Sequence, residues 1–221
     1  MLTQIYEIST PDEARAISSM GIDQLGVLVG DGQFPRELPL MAAKTVAQAI
    51  SSPSKFSALF LTANMLMIET WARELRPAIV HLGASAHLVS PADLAELKNR
   101  LPGMEMMRSV PVTSQESIAT AQSYEGVADM ILLDSYQALD NQIGALGVTH
   151  DWSISRRIVE TVRIPVILAG GLGPDNVRDA IRLVRPAGVD SKTKTDCHGS
   201  HAKDIELVRR FREAALFEDL D

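Results

Sequence analysis

The 221-residue chain has a single cysteine, Cys197, and no block of one charge sign. It has no apolar run long enough to cross a bilayer and no linker rich in Pro, Gly or Ser. Each absence removes a class of protein. One cysteine excludes an internal disulfide framework and fits a reducing compartment. The longest apolar stretch, Phe56 to Ile68, is broken by Thr62 and Asn64 and closed by Glu69, too short and polar for a membrane span. The start, Met-Leu-Thr-Gln-Ile-Tyr-Glu, lacks a basic segment followed by an apolar one, so a cytoplasmic protein is expected. A net charge of −7 offers no basic field for nucleic acid and points instead to a small-molecule partner. Without a linker, residues 1–221 are expected to form one domain.

What is present is alternation. Short runs rich in Val, Ile and Leu recur at Gln4–Ile8, Gln24–Val29, Ala58–Thr62, Ala78–Leu82, Met104–Val110, Met130–Leu133, Pro165–Ala169 and Ala187–Asp190. They mostly do not alternate apolar with polar, as expected of parallel strands covered on both faces. Between them lie helix signals. Ser9-Thr10-Pro11 and Ser90-Pro91 each put a capping residue before a proline, Gly173-Pro174-Asp175 does so more weakly, Ser114 opens another helix, and Ala202 to Ala215 is amphipathic. Eight strand–helix units close most naturally into a (β/α)8 TIM barrel, whose active site lies at the carboxyl ends of its strands. The long connection from Asp134 to His150 reads as a lid.

Two strand ends carry anion-binding chemistry. Gly170-Gly171 leaves the seventh strand, and Ser191-Lys192-Thr193-Lys194 leaves the eighth. Paired glycines allow close backbone approach, Ser191 and Thr193 offer hydroxyls and Lys192 or Lys194 adds charge, which together suit a phosphate. Asp134 closes the apolar run Ile131-Leu132-Leu133, where a carboxylate points at the barrel mouth and can act as a general acid. His81 lies in the fourth strand and either reaches the mouth or is a hydrogen-bonded core residue. His87 and His150 read as surface or packing residues, and the methionines at 104, 106, 107 and 130 as core filler. The Asp196-Cys197-His198-Gly199-Ser200-His201 segment holds ligand types in one short loop, which rarely supplies a whole coordination sphere, so no metal is expected.

Together these segments resemble the phosphoribosylanthranilate isomerases of tryptophan biosynthesis. Gly21-Ile22-Asp23-Gln24-Leu25-Gly26 is similar to that family's second strand and Phe34-Pro35-Arg36 to its Ser-Pro-Arg loop. Ala128 to Ser135 resembles its acid-bearing strand, Gly144 to Trp152 its Gly-Gly-Thr-Gly-Lys-Thr-Phe-Asp-Trp segment, Pro165 to Asn176 its seventh unit, and Gly188-Val189-Asp190 its eighth strand. The resemblance implies an Amadori rearrangement of a phosphorylated sugar-amine, aminoaldose to aminoketose, with no cofactor. Asp134 would be the acid, Arg36 would hold the substrate's aromatic carboxylate, and Gly170, Gly171, Ser191, Lys192 and Thr193 would hold the phosphate. The partner implied is a phosphorylated small molecule, and the chain a monomer or homodimer.

The departures carry equal weight. The family's first strand ends Lys-Ile-Cys-Gly-Ile, its cysteine acting as base, whereas this chain reads Gln4-Ile5-Tyr6-Glu7-Ile8 and puts Tyr6 in that place. A tyrosine titrates near ~10 against ~8.5 for cysteine, so Tyr6 is a base only where a cation lowers its pKa. Glu7 is stronger on pKa, but alternation turns it away from the face of Tyr6 unless the strand has ended. Ala145 and Val148 replace a glycine and the lysine of the lid, and Lys192 to Asp196 replaces Ser-Ser-Gly-Val-Glu. The expectation is weak or absent phosphoribosylanthranilate isomerase activity, with His81 or Glu7 as base toward a different phosphosugar. Two other readings stand beside it: a Schiff-base aldolase or lyase using Lys192 or Lys194, and a non-catalytic phosphosugar-binding protein.

Overall fold

The structure is a computed structural model that describes residues 1–137, 142–143 and 149–217, with side chains for 1–135 and 149–217. The lid positions Ala145 and Val148 lie outside the described residues. Through the first half, the chain runs β1 (Leu2–Ile5), α1 (Pro11–Ser19), β2 (Gln24–Leu28), α2 (Leu40–Gln48), β3 (Lys55–Phe60), α3 (Met65–Leu75), β4 (Ile79–Leu82) and α4 (Pro91–Arg100). It continues with β5 (Glu105–Pro111), α5 (Glu116–Ser123), β6 (Met130–Asp134) and a two-stranded antiparallel pair, β7 (Tyr136–Gln137) and β8 (Gln142–Ile143). The last units are α6 (Trp152–Thr161), β9 (Val166–Leu168), α7 (Val177–Val184), β10 (Gly188–Ser191), a 3-10 turn at Thr193–Thr195, and α8 (Ile205–Leu216).

The strands β1-β10-β9-β6-β5-β4-β3-β2 form a closed barrel in that order, every pair parallel. The expected (β/α)8 architecture is therefore present, with closure between β1 and β10 in the register Leu2↔Gly188 to Ile5↔Ser191. Helix starts follow the capping chemistry in the sequence. Thr10 accepts from the Glu13 amide and Ser90 from the Asp93 amide, each carboxylate reaching back to complete a capping box after which proline opens the helix. Asp204 accepts from the amides of Glu206 and Leu207, which moves the start of the last helix from the expected Ala202 to Ile205.

Two packing layers result. Outward-facing strand residues such as Leu25, Val27, Val80 and Ile131 pack against helix residues such as Ile17, Ile68 and Phe211. Burying each large side chain there contributes roughly 1.5–3 kcal/mol. Inward-facing residues fill the barrel: Tyr6, Ile79, Met107, Met130, Leu132 and Ile167 form the apolar part. Gln4, Gln24, Ser57, His81, Ser109 and Asp190 add a buried polar set.

One boundary decides the site. The first strand ends at Ile5, not Ile8, because its partner β10 turns into the 3-10 helix just past Ser191. Single backbone bonds from Tyr6 N to Ser191 O (3.1 Å) and Ile8 N to Gly26 O (2.8 Å) continue past that point without ladder pairing. The strict alternation that would turn Glu7 outward has already stopped.

Candidate active site

Asp134 ends β6 at the barrel mouth. Its Oδ1 accepts from the Ser135 amide (2.7 Å) and hydroxyl (3.3 Å). Burial pushes its pKa up to about 7, the Ser135 bonds offsetting part of the rise. Asp190, on the inward face of β10, accepts from Gln4 Nε2 at 3.2 Å and is pushed up to about 8, by burial first and then by the charge of Asp134. Two interacting carboxyl groups in a closed barrel thus keep a proton near neutrality, which equips the mouth with an acid.

Glu7 lies at this mouth. Arg36 donates to it from Nε (2.7 Å, to Oε2) and from NH2 (3.2 Å, to Oε1), a two-pronged guanidinium–carboxylate pair. The loop carrying Arg36 is folded around Glu37, whose Oε2 accepts from the amides of Gly32 (3.0 Å) and Phe34 (3.2 Å). Gly30 leaves room for it: a Cβ there would fall 1.9 Å from the Glu37 carboxyl carbon and would push that carboxylate off the two amides. Arg36 itself has φ of 69°, a left-handed conformation that costs a non-glycine residue about 1–2 kcal/mol and is sustained by the braced loop. Pairing with Glu7 raises the Arg36 pKa further, so the guanidinium is a permanent cation.

Lys192 follows β10, its Nζ 3.3 Å from Asp196 Oδ2 and 3.8 Å from Glu7 Oε2. Asp196 also receives the fully buried ammonium of Lys203, which donates a second bond to the Lys192 carbonyl at 3.2 Å. These contacts pin the loop after β10. The Asp196-to-His201 segment is part of that brace, and among the described residues no three His, Cys, Asp or Glu side chains gather as a metal site.

The loops that follow β9 and β10 lie against each other. Gly170 and Gly171 have φ of 83° and 64°, and a Cβ on Gly173 would fall 2.7 Å from Lys194 Cβ, so the loops after β9 and β10 are in direct contact. Asn176 ties the first of them, accepting from Gly173 N (2.8 Å) and donating to Gly171 O (3.0 Å). Of the expected phosphate ligands, Ser191 turns its hydroxyl to the Leu172 carbonyl (2.7 Å), and Lys192 faces Glu7 and Asp196. Both side chains therefore brace the loops.

Tyr6 and His81 are not at the mouth, and the geometry argues against either as a base. The Tyr6 ring packs directly on Gly26, where a Cβ would lie 1.9 Å from Cε1, and its hydroxyl lies 2.7 Å from both Ser57 Oγ and His81 Nδ1. His81 Nε2 lies 2.7 Å from Ser109 Oγ. Burial raises the Tyr6 pKa far above its ordinary value and lowers that of His81 to about 3, the Arg108 charge adding to the latter. A neutral imidazole accepting from Tyr6 and donating to Ser109 satisfies this chain of bonds. His81 is thus the hydrogen-bonded core histidine, one of the two readings its sequence allowed.

Four site residues escape the sequence reading. Asp190 shows the same signal as Asp134, a carboxylate in an apolar strand, yet had only been matched as a motif. Lys203 and Asp196 become partners only through the fold. His150, read as surface or packing, donates or accepts at Nε2 with Ser155 Oγ (2.7 Å) and leaves Nδ1 buried without a partner. A Cβ on Gly170 would lie 2.8 Å from that Nδ1 and 3.3 Å from Asp134 Oδ1, which puts His150 beside the acid. Burial lowers its pKa to about 4, so it stands there neutral.

Comparison with known proteins places these features in context. The profile of the family described as N-(5'-phosphoribosyl)anthranilate (PRA) isomerase matches residues 35–214. The N-(5'-phosphoribosyl)anthranilate isomerase of Methanocella arvoryzae is 36% identical over 214 residues, 95% of this chain and 95% of that protein. The solved structure of the Pyrococcus furiosus enzyme superposes with a TM-score of 0.78 at 24% identity, covering 97% of this chain and 98% of that one. A further solved phosphoribosylanthranilate isomerase, in complex with reduced 1-(o-carboxyphenylamino)-1-deoxyribulose 5-phosphate, gives the same TM-score at 22% identity, with 97% and 98% covered.

Proposed function

Since the chain belongs to the N-(5'-phosphoribosyl)anthranilate isomerase family, the aldose–ketose isomerases of tryptophan biosynthesis, we propose that it isomerises phosphoribosylanthranilate itself, with Asp134 as acid and Glu7 as base. The ordering of steps follows from the two groups. Asp134, protonated near neutrality, gives its proton to the ribose ring oxygen as the C1–O bond breaks and the nitrogen lone pair forms a C1=N iminium. Glu7 takes the proton from C2, whose electrons move to C1–C2 and neutralise the nitrogen. The enol-amine then gives up its hydroxyl proton and gains one at C1, leaving the aminoketose. No cofactor is needed, because the substrate's own nitrogen is the electron sink.

The observation that carries this reading is the two-pronged Glu7–Arg36 pair at the mouth. The loss of the cysteine, with a tyrosine in its place, leads from sequence to an expectation of weak activity, with His81 or Glu7 as base toward a different phosphosugar. With β1 ending at Ile5, a carboxylate is available at Glu7, two residues further on, and full turnover is expected. Arg36 holds the anthranilate carboxylate. The glycine loops after β9 and β10, with Thr193, hold the phosphate through backbone groups, while Ser191 and Lys192 fix their shape. The lyase reading is disfavoured by family, and Lys192 is committed to two carboxylates. On this reading the protein acts in the cytoplasm as a monomer or homodimer. The test is conversion of phosphoribosylanthranilate by purified protein and by Glu7→Gln. Wild-type turnover should fall by about 10²–10⁴-fold in the variant, and an unimpaired variant would remove Glu7 from the chemistry.

A further inference from the structure

The proposed reaction places two carboxylates on one guanidinium. Glu7 already occupies the Nε–NH2 edge of Arg36 in both prongs, and the substrate's aromatic carboxylate seeks the same fork. While bound to Arg36, both oxygens of Glu7 are engaged and neither is directed at a C2 proton. We propose that Glu7 is a built-in competitor for Arg36, and that the substrate carboxylate displaces it and so releases the base only when the correct ligand is present. This rests on the reading of Arg36 and Glu7 given above and adds a specificity device to it.

Three features of the site fit an exchange. Arg36 cannot easily follow Glu7, because its loop is braced by Glu37 and its backbone is held left-handed. Its side chain retains 30% exposure against 11% for Glu7, so an incoming ligand meets the guanidinium first. Lys192, 3.8 Å from Glu7 on the β10 side, receives the displaced carboxylate, so its charge is never left alone. A ligand without the carboxyl group would enter the barrel and leave the base tied up. The carboxyl group is then read out in turnover as well as in affinity, since its binding is spent on assembling the reactive arrangement.

The test is a binding cycle by titration calorimetry. Its ligands are reduced 1-(o-carboxyphenylamino)-1-deoxyribulose 5-phosphate and the phenylamino counterpart lacking the carboxyl group. Its proteins are the wild type and Glu7→Gln. Removing the competitor should tighten the carboxylated ligand by roughly three- to tenfold and leave the carboxyl-free one unchanged. Equal or weaker binding of the carboxylated ligand by Glu7→Gln would overturn the exchange. If that result came with lost turnover, Glu7 would stand as base without the device. A second arm uses only wild-type protein. With the carboxyl-free substrate, kcat should drop by at least about tenfold, and added benzoate should restore it saturably. An unchanged kcat, or no response to benzoate, would sink the proposal. Failure of the wild type to turn over phosphoribosylanthranilate at all would fault the functional reading and leave the binding cycle interpretable.

Discussion

Tyr6→Phe separates the two roles that the first strand's departure allows. The variant keeps the ring against Gly26 and removes only the hydroxyl, which lies 2.7 Å from both Ser57 Oγ and His81 Nδ1. Ser57 and His81 are buried at 0% and 2% exposure, so no bulk water replaces the lost group. Leaving buried partners unsatisfied costs about 1–3 kcal/mol. For a domain of this size each kcal/mol lowers Tm by roughly 2–4 °C, so a drop of about 2–12 °C is expected by differential scanning calorimetry. Turnover should stay within about twofold of wild type at a temperature where both are folded, because a hydroxyl whose pKa is raised by burial takes no proton from C2. A loss of ~10²-fold or more in kcat with unchanged Tm would refute this and make Tyr6 the working base.

Asp134→Asn should lower kcat by about 10²–10⁴-fold. In the wild type the acid is protonated below its pKa of about 7, so the rate of ring opening should fall as pH rises through that value, a limb absent from the residual activity of the variant. Asp190 has a folded pKa raised to about 8, so its stabilising contribution is complete below an ordinary carboxyl pKa and is lost as pH rises toward 8. Asp190→Asn should therefore flatten the decline of Tm between pH 4 and 8, and an identical pH profile in the two proteins would contradict its burial. Gly26→Ala forces a Cβ to within 1.9 Å of the Tyr6 ring and should cost about 1–3 kcal/mol in denaturant unfolding. In a Tyr6→Val background the same change should cost measurably less, and strict additivity would show that ring and glycine do not compete for space.

The eight strands were legible because parallel strands sheathed on both faces are largely apolar, even with polar residues such as Gln24 and His81 on the inward face. Asp134 stood out for the converse reason, as the polar residue ending such a run. Gly170 and Gly171 were legible as a pair of residues free to take left-handed backbone, which both do. The ends of strands were not, since a ladder stops where its neighbour stops. The length of β1 is set by the turn at Thr193, far along the chain. Glu7 faces the mouth for that reason alone, and no local pattern around it reports the fact. Ser191 and Lys192 carry the composition of an anion site, but their side chains brace loops whose carbonyl and carboxylate partners lie elsewhere in sequence.

Tyr6 and Glu7 are best understood as one change. A tyrosine in the place of the family's cysteine is too large to remain at the mouth beside the reacting sugar. Its ring turns down into the barrel, where Gly26 clears the volume and Ser57 and His81, from the next two strands, receive the hydroxyl. Burying it takes the Tyr6 hydroxyl away from the mouth, and on the proposed reading the base comes from another residue that reaches the same strand end. The next residue is a carboxylate, β1 has stopped in time to let it turn inward, and Arg36 and Lys192 hold its charge there. Placing cysteine alone at position 6 would consequently not give the arrangement the family resemblance implies. It would empty the space over Gly26, remove the Tyr6 hydroxyl from Ser57 and from His81 Nδ1, and leave Glu7 still bound to Arg36.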